Sequence, residues 1–305
     1  MKIVRFETRN APGEVKIGLV DVVQGHALDA AAVLAQAGIS VPLPRAVDII
    51  AYNTEMGGVL ARDLQDLSRF DVPRWSLRDI IYLPSVESGS LRDFIAFEQH
   101  IKTVREARGM EVPPAWYEMP VYYKGNYRTL IGHEQQVNWP RYSEKMDYEL
   151  ELACIVGKQG IDISVEDAAD YIGGYTVMND WSARDIQMQE SSVGLGPSKG
   201  KDFGTSIGPW VVTPDEFNPR NARMIARING EVWSDNNIGN IHWSFPQMIA
   251  HTSMEETLYP GDILGSGTAG GGCGLELDRW LQPNDVVELE VEGIGVLRNR
   301  VVRRR

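Results

Sequence analysis

The chain has 305 residues, of which 43% are hydrophobic and 24% charged. Thirty Lys and Arg stand against 42 Asp and Glu, a formal net charge of −12. This composition excludes a wholly disordered chain. An acidic surface repels phosphate backbones and anionic lipid, so neither nucleic acid nor a membrane is expected as a partner.

The first strands are expected in KIVRFE and VKIGLVDV, separated by Gly13, with a turn at Gly25. DAAAVLAQAG forms a short helix that Asp29 caps and Gly38 ends, and a helical stretch follows from Ala46 to Leu67. Pro73 and Pro84 punctuate a connection, which puts a domain boundary near residue 84 and divides the chain into 1–84 and 85–305. Beyond it the pattern is mainly β: LACIVG, GYTVMND, GPWVVT, ARMIARINGEVW, DILGSG and VVELEVEGIGVL, with Asn229-Gly230 as a hairpin signal. Helices are expected in FIAFEQHIKTVREARG, in SVEDAADYIGG and after Asp180, and the basic end from Arg300 reads as a solvated tail. The fold class is therefore mainly β with a few helices (α+β).

Cys154 and Cys273 are too few for a disulfide framework and show no zinc spacing, which fits a reducing compartment. MKIVRFETRN lacks the apolar core of a signal peptide, and no apolar run approaches the roughly 20 residues of a membrane span. A cytoplasmic protein is expected.

Three segments carry chemistry. In DYELELA a strand would place Asp147, Glu149 and Glu151 on one face and Tyr148, Leu150 and Leu152 on the other. That face is either solvated or neutralised by a cation, and oxygen ligands alone favour Mg²⁺, Ca²⁺ or Mn²⁺ over zinc. In GYTVMNDWSARDIQ, Asp180 either caps the following helix or projects into a site. Arg184 and Gln187 share a helical face suited to an anionic oxygen, although a surface pairing of Arg184 with Asp180 or Asp185 is the plainer reading. Lys201 lies in a glycine-flanked loop, where a lone lysine is usually solvated, and GSGTAGGGCGLE is glycine-rich without the ending of a phosphate loop.

DYELELACIVGK, GYTVMNDWSARDIQ, GKDFGTSIGPWVV and GSGTAGGGCGLEL, in this order, together resemble the fumarylacetoacetate hydrolase family over roughly residues 90–305. The resemblance implies a rolled mixed β-sheet core around a divalent metal, a small N-terminal domain and a homodimer. It implies Glu149, Glu151 and Asp180 as metal ligands, with Asp93, seven residues before His100, as a fourth. It further implies His100 as the general base for water, Glu276 as the carboxylate that orients it, and Arg184, Gln187 and Lys201 as oxyanion and carboxylate donors. Tyr123 and Thr268 match substrate-contacting residues. The implied reaction is Mg²⁺-, Ca²⁺- or Mn²⁺-dependent hydrolysis of a C–C bond in a β-diketo acid. Decarboxylation or tautomerisation of an oxaloacetate-like acid, or isomerisation of a hydroxydienoate, is the alternative within the family. Thr103 stands where the decarboxylase branch has a glutamate three residues after its histidine, which favours hydrolysis. Ser191 stands where fumarylacetoacetate hydrolase proper has a second tyrosine, so the distal end of the substrate differs. A catalytically silent, metal-stabilised dimer would have lost a ligand or the base, and none is lost.

Overall fold

The computed structural model describes residues 1–303. Two large β-sheets and one two-stranded pair build the described residues. The larger is mixed and has twelve strands, and one path through it runs Arg74–Ser76, His26–Asp29, Ala11–Asp21, Lys2–Thr8, Thr205–Val212, Ile172–Asn179, Leu150–Val156, Ile263–Gly265, Leu91–Phe94, Tyr122–Gly125. The N-terminal strands are continuous with the rest, because Lys2 and Ile3 pair with Val212 and Val211. The smaller sheet has five strands, ordered Glu231–Asn237, Arg223–Ile228, Val286–Val291, Gly295–Val302, Gln136–Asn138.

Leu150–Val156 and Ile172–Asn179 are buried at every residue, as expected of apolar, β-branched runs covered on both faces. Leu152, Cys154 and Val177 pack toward the small sheet, in one core with Met224, Leu289 and Leu297. On the opposite face Ala153, Ile155 and Ile263 meet Ile49, Ile50 and Leu60 of the N-terminal helices. The alternation therefore commits the side chains of Leu150–Val156 to two different apolar layers.

Local signals act as expected at several points. Asp29 caps the helix Ala30–Gln36 by accepting from Ala32 N–H at 2.9 Å. Asn229 and Gly230, both at positive φ, turn the hairpin between Arg223–Ile228 and Glu231–Asn237. Other expectations need correction. The helical stretch from Ala46 breaks into Ala46–Glu55 and Val59–Asp63, because Gly57 and Gly58 take left-handed backbone between them. The helix expected from Phe94 starts only at Glu98, since Leu91–Phe94 pairs as a strand with both Ile263–Gly265 and Tyr122–Gly125. The helix expected in SVEDAADYIGG shrinks to one 3-10 turn, Ala168–Tyr171, before the strand that starts at Ile172. The basic end is no free tail as far as Arg303: Val301 is fully buried in the strand Gly295–Val302, while Arg304 and Arg305 lie outside the described residues. No helix among the described residues is long and apolar enough to cross a membrane.

Candidate active site

Four neighbouring strands meet at the site. Glu149 and Glu151 come from the start of Leu150–Val156, Asp180 from the end of Ile172–Asn179, and Asp93 from Leu91–Phe94. Gly265 joins them, paired with Ala153 on one side and with Asp93 on the other. Asp93, Glu149, Glu151 and Asp180 are all buried and each brings a carboxylate oxygen within 4.8 Å of the others. A solvated strand face is thereby ruled out for Glu149 and Glu151.

Asp147 does not join this cluster, although it was expected on the same face. It lies in the short pair Met146–Asp147 with Ser182–Ala183, and its oxygens accept from Gly274 N–H at 2.7 Å and Leu275 N–H at 3.0 Å. Its Oδ2 also accepts from Arg184 Nε at 2.8 Å. Arg184 is buried rather than a surface residue. Its Nη2 donates to Glu149 Oε1 at 2.8 Å and its Nη1 to Gln187 Oε1 at 3.0 Å, which leaves the Gln187 amide N–H₂ as a donor for a ligand.

Asp180 does not cap the helix Arg184–Ser192, which begins after Ala183 without a side-chain cap. Its carboxylate instead accepts from Tyr123 O–H at 2.7 Å, Thr205 O–H at 3.2 Å and Lys201 Nζ at 2.5 Å. Lys201 is likewise no solvated loop lysine: it is buried and also donates to Glu149 Oε2 and to the Asp180 carbonyl. Those contacts occupy its three donors, so a role at an oxyanion requires one of them to be released.

The charges do not balance. Five buried carboxylates, counting Asp147, face the two cations Arg184 and Lys201, a formal excess of three negative charges. Burial opposes the charge on Glu149, but Lys201 and Arg184 hold its carboxyl far below the usual range. Lys201 offsets burial only in part for Asp93, and the main influences on Glu151 include no cation. Burial, then the neighbouring carboxylates, push both well above the ordinary carboxyl range. Both oxygens of Glu151 are buried with no hydrogen-bond donor among the described residues. Orphaned acceptors in an all-oxygen set that lacks positive charge are the donor chemistry of a hard divalent cation, so Asp93, Glu149, Glu151 and Asp180 fit a metal.

Gly265 is part of this fit and is not evident from its sequence context. An added Cβ there would overlap Met178 Cε and Asp93 Oδ1 and stand 3.1 Å from Glu151 Oε2. Gly265→Ala is expected to push Asp93 and Glu151 apart and to weaken metal binding about 10–100-fold, read by calorimetric titration of the stripped protein. Unchanged affinity would show that the close approach is immaterial.

His100 starts the second half of the site. It lies in the first turn of the helix Glu98–Glu106, with Nδ1 2.8 Å from Glu276 Oε2. Burial disfavours the Glu276 carboxylate, yet His100, the Gly271 N–H and the Cys273 thiol together keep its carboxyl below the usual range. A cleft of about 630 Å³ connects the halves: Asp93, His100, Tyr123, Glu149, Arg184, Gln187, Lys201 and Thr268 all line it. Ile101, Val104, Pro113, Trp116 and Val121 add apolar lining, and Arg105, Arg108 and Ser191 also line it.

Comparison with known proteins gives this geometry a context. Residues 90–302 match the family model for the fumarylacetoacetate (FAA) hydrolase C-terminal region. The chain is 34% identical over 245 residues to the fumarylacetoacetase of Arabidopsis thaliana, an alignment covering 62% of this chain and 58% of that protein. The structure superposes on a fumarylacetoacetate hydrolase from Exiguobacterium antarcticum with a TM-score of 0.76 and 26% identity, over 100% of both chains. It shares its fold with the fumarylpyruvate hydrolase of Pseudomonas aeruginosa, whose structure is a complex with Mn²⁺ and pyruvate, at a TM-score of 0.62 and 23% identity over 71% of this chain and 91% of that one. With most of its length matched by the family model and its whole fold shared with solved members, the chain belongs to the fumarylacetoacetate hydrolase family.

Proposed function

We propose that this protein is a divalent-metal-dependent hydrolase that cleaves a C–C bond in a β-diketo acid of the acylpyruvate type, with Mg²⁺ or Mn²⁺ as the working ion and the homodimer as the working unit. One observation carries the reading: His100, 2.8 Å from Glu276, lines the same cleft as Asp93 and Glu149 of the four-carboxylate cluster. Asp93, Glu149, Glu151 and Asp180 would hold the ion, which when bound supplies a Lewis acid for a chelating dicarbonyl.

The chain's own residues account for the rest. With Nδ1 turned to Glu276 Oε2 at 2.8 Å, Nε2 is the His100 nitrogen that would take a proton from water. The hydroxide formed attacks the distal carbonyl, and the Gln187 amide and the Arg184 guanidinium lie along the same cleft to receive the oxyanion. Collapse breaks the C–C bond, yielding a carboxylic acid and the enolate of pyruvate. The enolate takes up the proton held on His100, so one water is consumed and none of the side chains is left changed. Tyr123 and Thr268 border the reacting end, while the acyl group would extend along Ile101, Val104 and Trp116.

Turnover of an acylpyruvate in ¹⁸O-water separates this reaction from its relatives. Hydrolysis puts one ¹⁸O into the released carboxylic acid, whereas decarboxylation or isomerisation forms no such acid. A product lacking the label would overturn the reading.

A further inference from the structure

We propose that Cys273 is a positioning residue for the general base, its thiol fixing the Glu276 carboxylate against which His100 is set; the inference rests on the hydrolytic reading above. Glu276 sits on the one-turn helix Gly274–Leu277. Its Oε1 accepts from Gly271 N–H at 3.0 Å. Its Oε2 faces two groups, His100 Nδ1 at 2.8 Å and Cys273 Sγ at 3.4 Å. Without the thiol the carboxylate would be held by one backbone N–H and by the imidazole it is meant to orient. With the thiol, both oxygens are anchored by groups that do not take part in proton transfer.

The surroundings of the sulfur suit a donor. Cys273 is fully buried and does not line the cleft, so it touches neither substrate nor solvent. Burial, and then the charge of Asp147, push its thiol well above the ordinary range, which keeps the S–H proton in place. Its backbone pairs with Glu149 in an isolated bridge, which ties the thiol's position to the strand that carries the metal cluster. One residue thus couples the geometry of the base to that of the carboxylates.

The test uses the metal-loaded full-length protein and three variants, Cys273→Ala, Cys273→Ser and His100→Ala. Cys273→Ala is expected to lower kcat about fivefold, the effect of losing one modest hydrogen bond to a charged group, with KM and metal affinity unchanged. Cys273→Ser, which keeps a donor, is expected to restore kcat. Infrared spectroscopy of the S–H stretch gives a readout independent of activity. Cys154, buried in the apolar core, provides the reference band, and the Cys273 band is expected at lower wavenumber, moving back toward it in Glu276→Gln. Coincident bands in the wild type overturn the proposal, as do equal losses in Cys273→Ala and Cys273→Ser. So does wild-type kcat in Cys273→Ala alongside an inactive His100→Ala. Wild-type turnover in His100→Ala is the separate result that would sink the hydrolytic reading itself, and this proposal with it.

Discussion

Replacing His100 with alanine is expected to lower turnover by about 10²–10⁴-fold while leaving metal affinity nearly intact, the range for loss of a positioned general base. The separation of the two effects follows from the geometry. His100 faces Glu276 and lines the cleft, but the four oxygens that fit the cation all belong to other residues. KM should change little, because the imidazole acts on water rather than on the carboxylate or the dicarbonyl of the substrate. Steady-state kinetics and calorimetric metal titration of the same preparation check both halves. Undiminished turnover would remove the base from the mechanism, and lost metal affinity would place His100 in the metal site instead.

The second large effect is expected at Glu151, and it has opposite signs with and without metal. Both carboxylate oxygens are buried without a donor, and the folded-state carboxyl lies well above its ordinary value because of burial and then the charge of Asp93. In the unfolded chain Glu151 ionises near its usual pKa, about 4.3. As pH rises past that value the unfolded state gains charge freely, while the folded state must either retain a proton or bury an unpaired charge. Metal-stripped protein therefore loses stability from this residue as pH rises above about 4.3, until the folded carboxyl itself ionises. Glu151→Gln removes that loss. In the stripped state its melting temperature should match wild type near pH 4 and exceed it by a few degrees at pH 7, at about 2–4 °C for each kcal/mol recovered. With metal the order reverses, because the variant has lost a ligand and its affinity should fall by more than about 100-fold. Asp93, raised for the same reason, shares this behaviour, so metal binding to wild type should release protons. Thermal melts across pH with and without EDTA measure all of this. A stripped Glu151→Gln variant less stable than wild type at pH 7 would mean that Glu151 is satisfied by something other than a cation.

Much of this arrangement is legible in the sequence where local chemistry decides it. The alternation in DYELELA places Tyr148, Leu150 and Leu152 in the inter-sheet core and Glu149 and Glu151 away from it, because the strand period of two holds there. Asp29 and Asn229-Gly230 act through contacts one to three residues away, and sequence neighbours suffice to read them. What the residues alone leave open depends on long-range pairing. Nothing near Lys201 announces its burial, which follows from the loop returning so that Gly200 accepts from Ala183 N–H and brings Lys201 to Glu149 and Asp180. Arg184 reads as a surface cation until Asp147, 37 residues earlier, is placed beside it. Asp93 meets Glu151 only because Ile263–Gly265 inserts between their strands, with a glycine at the one position where a side chain would not fit. Order among four separated motifs carried that information, and single motifs did not. Two of the failed helix expectations share a cause as well: at Phe94 and at Ile172 strand pairing to distant partners takes over segments read as helix.

A cation held by Asp93, Glu149, Glu151 and Asp180 and a base at His100 are expected to act together on a β-diketo acid. An ultraviolet assay of enol loss from an acylpyruvate, run on EDTA-stripped protein before and after addition of Mg²⁺ or Mn²⁺, addresses this most directly. No loss is expected without metal, with loss restored by metal and pyruvate plus the matching carboxylic acid formed in equal amounts. Protein that demonstrably binds the ion yet leaves the enol intact would contradict this, and would make decarboxylation or tautomerisation of oxaloacetate the reaction to test next.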